Sequence, residues 1–285
     1  MKALVIYHKG CADGSCAAYA AWKRFGDDGA EYHACQYGDA APTDDDVRDR
    51  AVYIVDFSFP RVELVRIALA AKELVVLDHH KTAQQDLADL PFARFEMAMS
   101  GAAMAWQFFA DGQVDPHRQN DLPDPVRYVQ DRDLWRWALP DSREVSAAMR
   151  ALGVVEDFKV FDRLPDVQTL VKMGGAILLD NDKTIRAICR GATDMTLDGH
   201  EIPVVNSCVF QSEVGERLAI GRPFAAVWFV SKKGETVVSL RSDANGLDVS
   251  AICKARGGGG HARAAGFTAH KPWYELFDLP TSLSA

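Results

Sequence analysis

A chain of 285 residues is long enough to form two domains with separate hydrophobic cores. Apolar residues make up 48% and charged residues 25% of it, which is ordinary for a globular protein and unlike an intrinsically disordered chain. The formal net charge of −8 excludes the chain-wide basic surface of a duplex-DNA binder, and it leaves room for a local basic pocket that takes a small phosphorylated ligand.

The cysteine spacing indicates free thiols. No two of the six form a Cys-x-x-Cys pair: Cys11, Cys16, Cys35, Cys189, Cys208 and Cys253. A chain of this length does not depend on a disulfide framework, so we expect a reducing cytoplasm.

Met1 leads directly into an apolar strand, and no apolar run approaches the ~20 residues of a membrane span, so we expect neither a signal peptide nor a membrane segment.

The first elements alternate between strand and helix. Residues 3–7 form a short apolar run that predicts a strand, and a polar loop with His8 and Asp13 follows. Ser15 is placed to cap the next helix, and residues 31–37 predict a second strand.

Two further strands end in side chains that are able to bind metal. Residues 51–55 predict a strand that ends at Asp56, and a helix opened by Pro60 leads to a strand at residues 73–77, with Asp78-His79-His80 directly after it. This alternation predicts an α/β fold built on a doubly wound parallel sheet. Because such sheets carry their functional groups beyond the carboxyl ends of the strands, we expect these side chains at one edge.

The middle of the chain has helical patterns. Helices are predicted at residues 100–109, 126–130, 145–152 and 167–189. The second of them runs into a segment with Asp131, Asp133, Trp135 and Trp137. Aromatic rings stack on bases in single-stranded RNA binders, but two tryptophans at a helix end are more typical of a core, and we assign them there.

From residue 193 onwards strand patterns return. Strands are predicted at residues 196–197, 200–205, 224–230 and 236–241, with helices at 211–219 and 249–255, which indicates a second, smaller α/β domain. It ends in the glycine run Gly257–Gly260, followed by His261, Arg263 and a helix-like Ala264-Ala265.

The glycine run has two interpretations. It is either a flexible linker, or a place where backbone N–H groups approach a phosphate and a following helix N-terminus adds a positive dipole. The Lys-Ser/Thr pair of a P-loop does not follow it, so hydrolysis of nucleoside triphosphates is not supported.

The candidate ligands on the predicted sheet edge are carboxylates and imidazoles. They are His8, Asp13, Asp56, Asp78, His79, His80 and the pair Asp131 and Asp133. Without a cysteine cluster a structural zinc site is disfavoured, and this ligand set suits Mn²⁺, with Mg²⁺, iron or Co²⁺ as alternatives. Two such ions bridged by a carboxylate are the usual machinery for attack on phosphorus.

These motifs, in this order, resemble the DHH phosphoesterase superfamily. The resemblance rests on His8…Asp13-Gly14, on Val-Asp-Phe-Ser around Asp56, on Asp78-His79-His80, on Gln-Asp-Arg-Asp-Leu-Trp at 130–135, and on residues 239–242 and 257–261, which are similar to the family's associated C-terminal domain. It covers nearly the whole chain and is strongest for the oligoribonuclease (nanoRNase) branch.

The resemblance implies a role for each of these residues. The implied metal ligands, two Mn²⁺ ions being expected, are His8, Asp13, Asp56, Asp78, His79 and Asp133, with Asp131 as the rival of Asp133. Asp56 would bridge the ions, His80 would face the scissile phosphate as a catalytic residue, and Asp78 would assist catalysis by orienting an imidazole. The implied substrate-binding residues are Arg241, Ser242, Gly258, Gly259, Gly260 and His261.

One residue departs from the family pattern. The first motif usually carries Asp-x-Asp-Gly, and this chain has Cys11-Ala12-Asp13-Gly14. Cys11 either binds a soft ion as thiolate or leaves one metal site weaker, and as a free cysteine it is also typical of a small buried residue in a tight turn.

The resemblance implies three parts: a DHH metal-binding catalytic domain at residues 1–140, a helical connector at 141–192 and a DHH-associated substrate-binding domain at 193–285. The implied activity is hydrolysis of short oligoribonucleotides to mononucleotides by a metal-activated water, in a cleft between the domains. The alternatives are a phosphomonoesterase acting on bisphosphorylated adenosine, a cyclic dinucleotide hydrolase, or a nucleotide-binding sensor with impaired catalysis. The partner would be short single-stranded RNA or a small phosphorylated nucleotide, with no membrane partner, and the sequence leaves the oligomeric state open.

Overall fold

A computed structural model describes residues 1–279 of the chain. These residues fall into two compact units, which meet between Leu178 and Leu179, inside one long helix, Val167–Cys189. The division into three parts at residues 140 and 192 stays a prediction, and its last six residues lie outside the described part.

The first unit contains a five-stranded parallel sheet. Its strands are β1 (Ala3–His8), β2 (Ala30–Cys35), β3 (Ala51–Val55), β4 (Glu73–Asp78) and β5 (Ala93–Phe95). They are arranged in the order β2-β1-β3-β4-β5, so the chain order reverses between β1 and β3. The predicted parallel α/β sheet is confirmed, and the short β5 is an addition that its sequence did not indicate.

Eight helices follow or flank these strands in the described residues. They are α1 (Ala12–Gly29), α2 (Asp44–Val47), α3 (Arg61–Ala70), α4 (Lys81–Leu87), α5 (Gly101–Asp111), α6 (Asp124–Asp133), α7 (Ser142–Ala151) and α8 (Val167–Cys189).

Helices cover both faces of the first sheet, because the buried side chains of each strand alternate between two cores. Val5 of β1 packs in a core with residues of α1 and α5, whereas its neighbours Leu4 and Ile6 pack with residues of α3 and α4. A strand buried on both faces explains why β1, β3 and β4 appear in the sequence as continuous apolar runs. The sheet is therefore doubly wound, as predicted.

The second unit is built on a six-stranded mixed sheet. Its elements are β6 (Thr193–Leu197), β7 (His200–Asn206), α9 (Gln211–Ala219), β8 (Ala225–Val230), β9 (Thr236–Arg241), α10 (Val249–Lys254), β10 (Gly259–His261) and β11 (Ala264–Ala269). The strand order is β10-β11-β9-β8-β7-β6, in which only β7 and β8 pair in parallel. A second α/β unit is confirmed.

The prediction of a helix after the glycine run is wrong. Ala264 and Ala265 begin β11, which alternates inward-facing Ala265 and Phe267 with more exposed residues in the core of the second unit. A Cβ on Gly258 would lie 2.1 Å from the carbonyl oxygen of Gly266, so the backbones are too close for any side chain there. The glycine run is a turn into a β-hairpin, and it is followed by a strand and not by a helix N-terminus.

Two other local predictions differ from the structure. Helix α1 is capped by Cys11, whose Sγ accepts a hydrogen bond from Gly14 N at 3.2 Å, and Ser15 lies inside the helix. Trp135 and Trp137 are only half-buried and both have a positive φ, because α6 ends at Asp133 and a tight loop follows. Among the described residues, no helix is long and apolar enough to cross a membrane.

Candidate metal centre

The predicted ligands lie at the carboxyl ends of three neighbouring strands. β1 ends at His8, β3 is followed by Asp56, and β4 ends at Asp78 with His79 next. β1 and β3 are the strands between which the chain order reverses, and the crevice at such a switch point is where open α/β sheets bind ligands.

Three carboxylates converge on the imidazole of His79. Its Nε2 lies 3.1 Å from Asp56 Oδ1, 3.4 Å from Asp133 Oδ2 and 3.5 Å from Asp13 Oδ2. His79, Asp13 and Asp56 are almost completely buried. Buried carboxylates this close to one another repel, so the arrangement favours either a positive charge among them or a proton on one of them.

The N-terminus of α5 holds Asp13 in place. The backbone N–H groups of Gly101 and Ala102 donate to its two carboxylate oxygens at 2.7 Å and 3.0 Å. A Cβ on Gly101 would lie 2.4 Å from Asp56 Cβ, so only glycine permits this approach. The sequence interpretation missed Gly101; the Ser-Gly pair at a predicted helix start was the signal that pointed to it.

The two carboxylate oxygens of Asp56 face different sets of possible ligands. Its Oδ1 faces His79, whereas its Oδ2 lies 3.5 Å from His8 Nδ1 and 3.3 Å from Cys11 Sγ. The residue has φ 56°, in the left-handed region, which turns its side chain into this position at the end of β3. A carboxylate with its two oxygens directed at separate ligand sets is placed to bridge two cations.

Asp78 forms hydrogen bonds with both histidines of the motif. Its Oδ1 accepts hydrogen bonds from the backbone N of His79 at 2.7 Å and from Nδ1 of His80 at 2.6 Å, while Ser58 Oγ donates to its Oδ2 at 2.5 Å. Asp78 is fully buried. These contacts fix the ring orientation of His80, which fits the orienting role predicted for Asp78.

The structure separates Asp131 and Asp133, the two candidate ligands in the segment 130–135. Asp133 reaches His79, as described above, whereas both oxygens of Asp131 accept backbone N–H groups, from Ala138 at 2.9 Å and Leu139 at 3.3 Å. Asp131 therefore shapes the loop after α6, and Asp133 is the one brought to the centre.

Electrostatics in the cluster follow from burial and mutual repulsion. Burial, Asp56 and Asp133 raise the pKa of Asp13 well above its usual range, and burial together with Asp56 raises the pKa of Asp133. Burial lowers the pKa of His79, but the surrounding carboxylates outweigh this and raise it to about 10. Burial raises the pKa of Asp56, but hydrogen bonds with His79 and His8 hold it well below its usual range.

The residues present fit a divalent cation. Asp133 Oδ2 is buried and makes no hydrogen bond among the described residues, although it faces the His79 ring. A hard cation at this position would replace the imidazolium proton as the positive charge among three carboxylates. Within each of two sets of side chains, the possible ligand atoms lie close enough together to hold one ion. One set is Asp13, Asp56 and His79, and the other is His8, Cys11 and Asp56.

The thiol of Cys11 lies inside the second set. Burial, Asp56 and Asp13 raise the pKa of Cys11 well above its usual range, so the thiol is protonated without a metal. All six cysteines of the chain are free.

An exposed aromatic ring borders the centre and was not predicted from the sequence. Tyr37, just after β2, contacts the rings of His8 and His80 edge-on with centroids 5.8 Å and 6.0 Å apart, and it contacts Phe57 at 5.1 Å. Its side chain is 56% exposed. The signal in the sequence was an aromatic residue at the end of the predicted strand 31–37.

The residues predicted to bind substrate lie together in the second unit. Ala264 of β11 pairs with Arg241 at the end of β9 and with His261 on β10, so these two residues flank one strand at one end of the sheet. The Arg241 guanidinium donates to Ser212 Oγ and Ser239 Oγ, both at 2.8 Å. Ser242 Oγ is buried without a hydrogen bond among the described residues.

The chain is similar to two known proteins along most of its length, whereas no family model matches it. It is 29% identical over 288 residues to an uncharacterized protein of Acanthamoeba polyphaga mimivirus, covering 92% of this chain and 66% of that protein. It is 25% identical over 249 residues to oligoribonuclease NrnB of Bacillus subtilis, covering 81% of this chain and 62% of NrnB. The chain thus spans less than two thirds of the length of either relative.

Solved structures with a similar fold contain DHH domains or bind manganese. The DHH domain of a member of a family of ribosomal proteins has a TM-score of 0.54 at 12% identity, over 97% of this chain and 83% of that one. RecJ of Thermus thermophilus in complex with Mn²⁺ has a TM-score of 0.50 at 17% identity, over 94% of this chain and 49% of RecJ. At these identities the similarity establishes the fold, and it confirms the architecture predicted from the motifs.

Proposed function

We propose that the chain is a metal-dependent phosphodiesterase of the DHH superfamily that hydrolyses short oligoribonucleotides to mononucleotides, which its motifs, its fold and its similarity to NrnB support. The ions we assign to the centre are two divalent cations, Mn²⁺ first, with Mg²⁺ or Co²⁺ as substitutes.

The observation that carries this proposal is the position of Asp56 between two ligand sets at the sheet edge. One set is completed by Asp13, His79 and Asp133, and the other by His8 and Cys11. A shared carboxylate is what a pair of ions requires to act on one phosphate. When bound, such ions supply Lewis acidity that lowers the pKa of a water and neutralises the phosphoryl oxygens.

The protein's own groups position the phosphate and hold protons. Burial lowers the pKa of His80, but the Asp78 carboxylate raises it, so the imidazolium is the favoured form. With Nδ1 held by Asp78, we assign to Nε2–H the task of donating to a phosphoryl oxygen as negative charge builds on it. Asp78 and Ser58 keep the ring in that orientation.

Short substrates are favoured by charge and by similarity. The net charge of −8 leaves no chain-wide basic surface to follow a long polynucleotide. The relative NrnB is an oligoribonuclease. We assign the recognition of a single nucleotide to Arg241, Ser242, His261 and the glycines at 258–260, in line with the bidentate geometry of Arg with phosphate.

A turnover assay tests the proposal. The full chain, freed of metal with a chelator and then supplied with Mn²⁺, is given a 5′-phosphorylated RNA dinucleotide, a bisphosphorylated adenosine and a cyclic dinucleotide. We expect mononucleotides from the RNA dinucleotide, and a loss of about a thousandfold in rate for Asp56→Asn. Asp45→Asn is the matched control, because Asp45 is an exposed residue of α2 that pairs with the exposed Arg48.

The other outcomes each identify a different function. Phosphate released from the bisphosphate alone indicates a phosphomonoesterase, and a linear product from the cyclic dinucleotide alone indicates a hydrolase of that class. Ion binding without turnover of any of the three overturns the assigned substrate. If neither turnover nor ion binding is detected, the chain is a nucleotide-binding sensor and the metal assignment is wrong.

A further inference from the structure

Cys11 lies in the metal centre beside two predicted ligands, and its thiol donates a hydrogen bond to the Asp56 carboxylate. Its Sγ lies 3.3 Å from Asp56 Oδ2 and 3.6 Å from His8 Nδ1, and these two atoms are 3.5 Å apart. The three atoms therefore form a nearly equilateral triangle at the end of β1.

The size of this triangle matches one face of a tetrahedral site. Bond lengths of about 2.3 Å to sulfur and about 2.0–2.2 Å to nitrogen and oxygen place the ligand atoms of tetrahedral Zn²⁺ about 3.3–3.7 Å apart. The separations of 3.6 Å and 3.5 Å from His8 Nδ1 lie in that range, whereas the 3.3 Å between Cys11 Sγ and Asp56 Oδ2 has to lengthen by about 0.2 Å for a sulfur–oxygen pair. The fourth position of such a site faces away from the triangle and is the one a water or a phosphoryl oxygen would take.

We propose that Cys11 is a metal ligand, and that His8, Cys11 and Asp56 form a site for a thiophilic divalent ion such as Zn²⁺ or Co²⁺. The other set, Asp13, Asp56, His79 and Asp133, offers three carboxylates and one imidazole, which suit Mn²⁺ or Mg²⁺. The two sites share Asp56 but differ in softness, so the centre takes two different ions. The inference rests on the proposed function, since both assume that Asp56 binds metal.

The surroundings of Cys11 favour the thiolate once a cation is present. Gly14 N donates to Sγ at 3.2 Å, and Sγ lies at the N-terminus of α1, where the helix dipole stabilises negative charge. On coordination the S–H bond gives way to a sulfur–metal bond, and the proton passes to solvent. Cys16, a buried cysteine inside α1, lies in the hydrophobic core of the first unit and belongs to none of the described ligand sets.

Absorption of the cobalt-substituted protein tests the inference. The full chain is stripped with a chelator, kept reduced with a phosphine reductant that contains no thiol, and titrated with Co²⁺. We expect a thiolate-to-cobalt charge-transfer band in the near ultraviolet that saturates at one ion per chain. Cys11→Ser abolishes the band and keeps a cap for Gly14 N, and Cys35→Ser, a half-buried cysteine at the end of β2, leaves it unchanged.

A competition experiment tests selectivity independently of the band. Cys11→Asp is expected to lower the preference of this site for Zn²⁺ over Mn²⁺ by about tenfold or more, because a hard oxygen replaces a soft sulfur. Far-UV circular dichroism of the variants establishes that they are folded. An unchanged Zn²⁺ preference in Cys11→Asp overturns the inference.

The outcomes separate this inference from the proposed function. If Co²⁺ binds without the charge-transfer band, and Asp56→Asn abolishes that binding, then Cys11 is not a ligand and the metal assignment of the proposed function stands. If a band persists in Cys11→Ser and disappears in Cys35→Ser, the thiol that binds is a different one and the inference is wrong. If no ion binds the wild-type chain, both are wrong.

Discussion

Single residues of the candidate metal centre are held in an arrangement that opposes folding. Asp13, Asp56 and Asp133 lie around one imidazole, and burial together with mutual repulsion raises the pKa of both Asp13 and Asp133. A group whose charged form is disfavoured in the folded state lowers stability at neutral pH. This loss of folding stability falls on the residues that we assign to metal binding, and functional sites commonly lower the stability of a protein in this way.

Asp133→Asn is expected to stabilise the metal-free protein. The change removes a buried charge that Asp56 repels, so the melting temperature in chelator should rise by an amount equivalent to roughly 1 kcal/mol. The stabilisation that saturating Mn²⁺ gives, about 2.7 kcal/mol at a hundred times the Kd, should be lost. Calorimetry with and without Mn²⁺ measures both effects.

Asp131→Asn is the control, two residues away on the same helix. Its amide has one acceptor oxygen for the two backbone N–H groups that Asp131 now accepts, so it should destabilise by about 1 kcal/mol and keep the response to Mn²⁺. The reverse pattern, with Mn²⁺ stabilisation lost in Asp131→Asn and kept in Asp133→Asn, would exchange the roles of the two residues.

His79 predicts a pH dependence of the metal-free protein. Its pKa is about 10 in the folded chain and about 6.5 in an unfolded one, so its contribution is fully present below pH 6.5 and is lost as the pH rises through 10. The free energy of unfolding should fall by up to about 1.4 kcal/mol per pH unit within that window. Urea unfolding in chelator between pH 7 and 10 measures the slope, and an equal slope in His79→Gln would contradict the assignment.

At the scale of the elements, the centre depends on two close approaches between helices and strand ends. A Cβ on Gly14 of α1 would lie 2.1 Å from the carbonyl oxygen of His8, and a Cβ on Gly101 of α5 would lie 2.4 Å from Asp56 Cβ. These glycines allow two helix N-termini to reach the ends of β1 and β3. The same approach lets the N–H groups of α5 bind Asp13.

Gly101→Ala is therefore expected to disrupt the centre by displacing α5. Neither the backbone of Gly101 nor that of Asp56 yields without breaking the hydrogen bonds to Asp13, so we expect a loss of about 2–4 kcal/mol in stability and weaker Mn²⁺ binding. Gly112→Ala, at the other end of α5, is the control: φ is 80° there and no atom lies within 4 Å of the added Cβ. It should cost about 1 kcal/mol and leave Mn²⁺ affinity unchanged. Titration calorimetry with Mn²⁺ separates the two variants, and equal affinities would refute the role of Gly101.

The elements also explain which predictions from the sequence succeed. β1, β3 and β4 were predictable because each is a short apolar run, buried on both faces, that ends in polar residues. Parallel pairing then brings those residues to one edge of the sheet, independently of how the helices pack. Asp133 could only be inferred through a resemblance, because it comes from the end of a helix far along the chain and nothing in local periodicity marks it.

The failures have local physical causes. Ala264-Ala265 has helical composition, but pairing with β9 and β10 decides its conformation, and such pairing is not visible in the residues themselves. Ser15 is a good capping residue by type, yet Cys11 caps α1 because the turn after His8 begins earlier. Trp135 and Trp137 were assigned to the core because tryptophans at a helix end are usually core, but the left-handed loop after α6 leaves them half-buried.

At the scale of the whole molecule, the predicted tasks fall in different units. All residues assigned to metal lie in Met1–Leu178, and all residues assigned to the nucleotide lie in Leu179–Ala285. Ion affinity and nucleotide affinity should therefore respond to different substitutions.

Arg241→Lys is the variant that tests this separation. The guanidinium of Arg241 is positioned by Ser212 and Ser239, and a lysine offers one point charge where arginine offers a planar fork, so we expect KM for the RNA dinucleotide to rise about tenfold or more. The stabilisation by Mn²⁺ should not change, since no metal ligand is affected. Arg217→Lys is the control, because Arg217 pairs with Asp182 at the surface of the same unit and should keep the wild-type KM. If KM is unchanged in Arg241→Lys, this arginine does not bind the phosphate; if Mn²⁺ stabilisation falls with it, the two tasks are not separate.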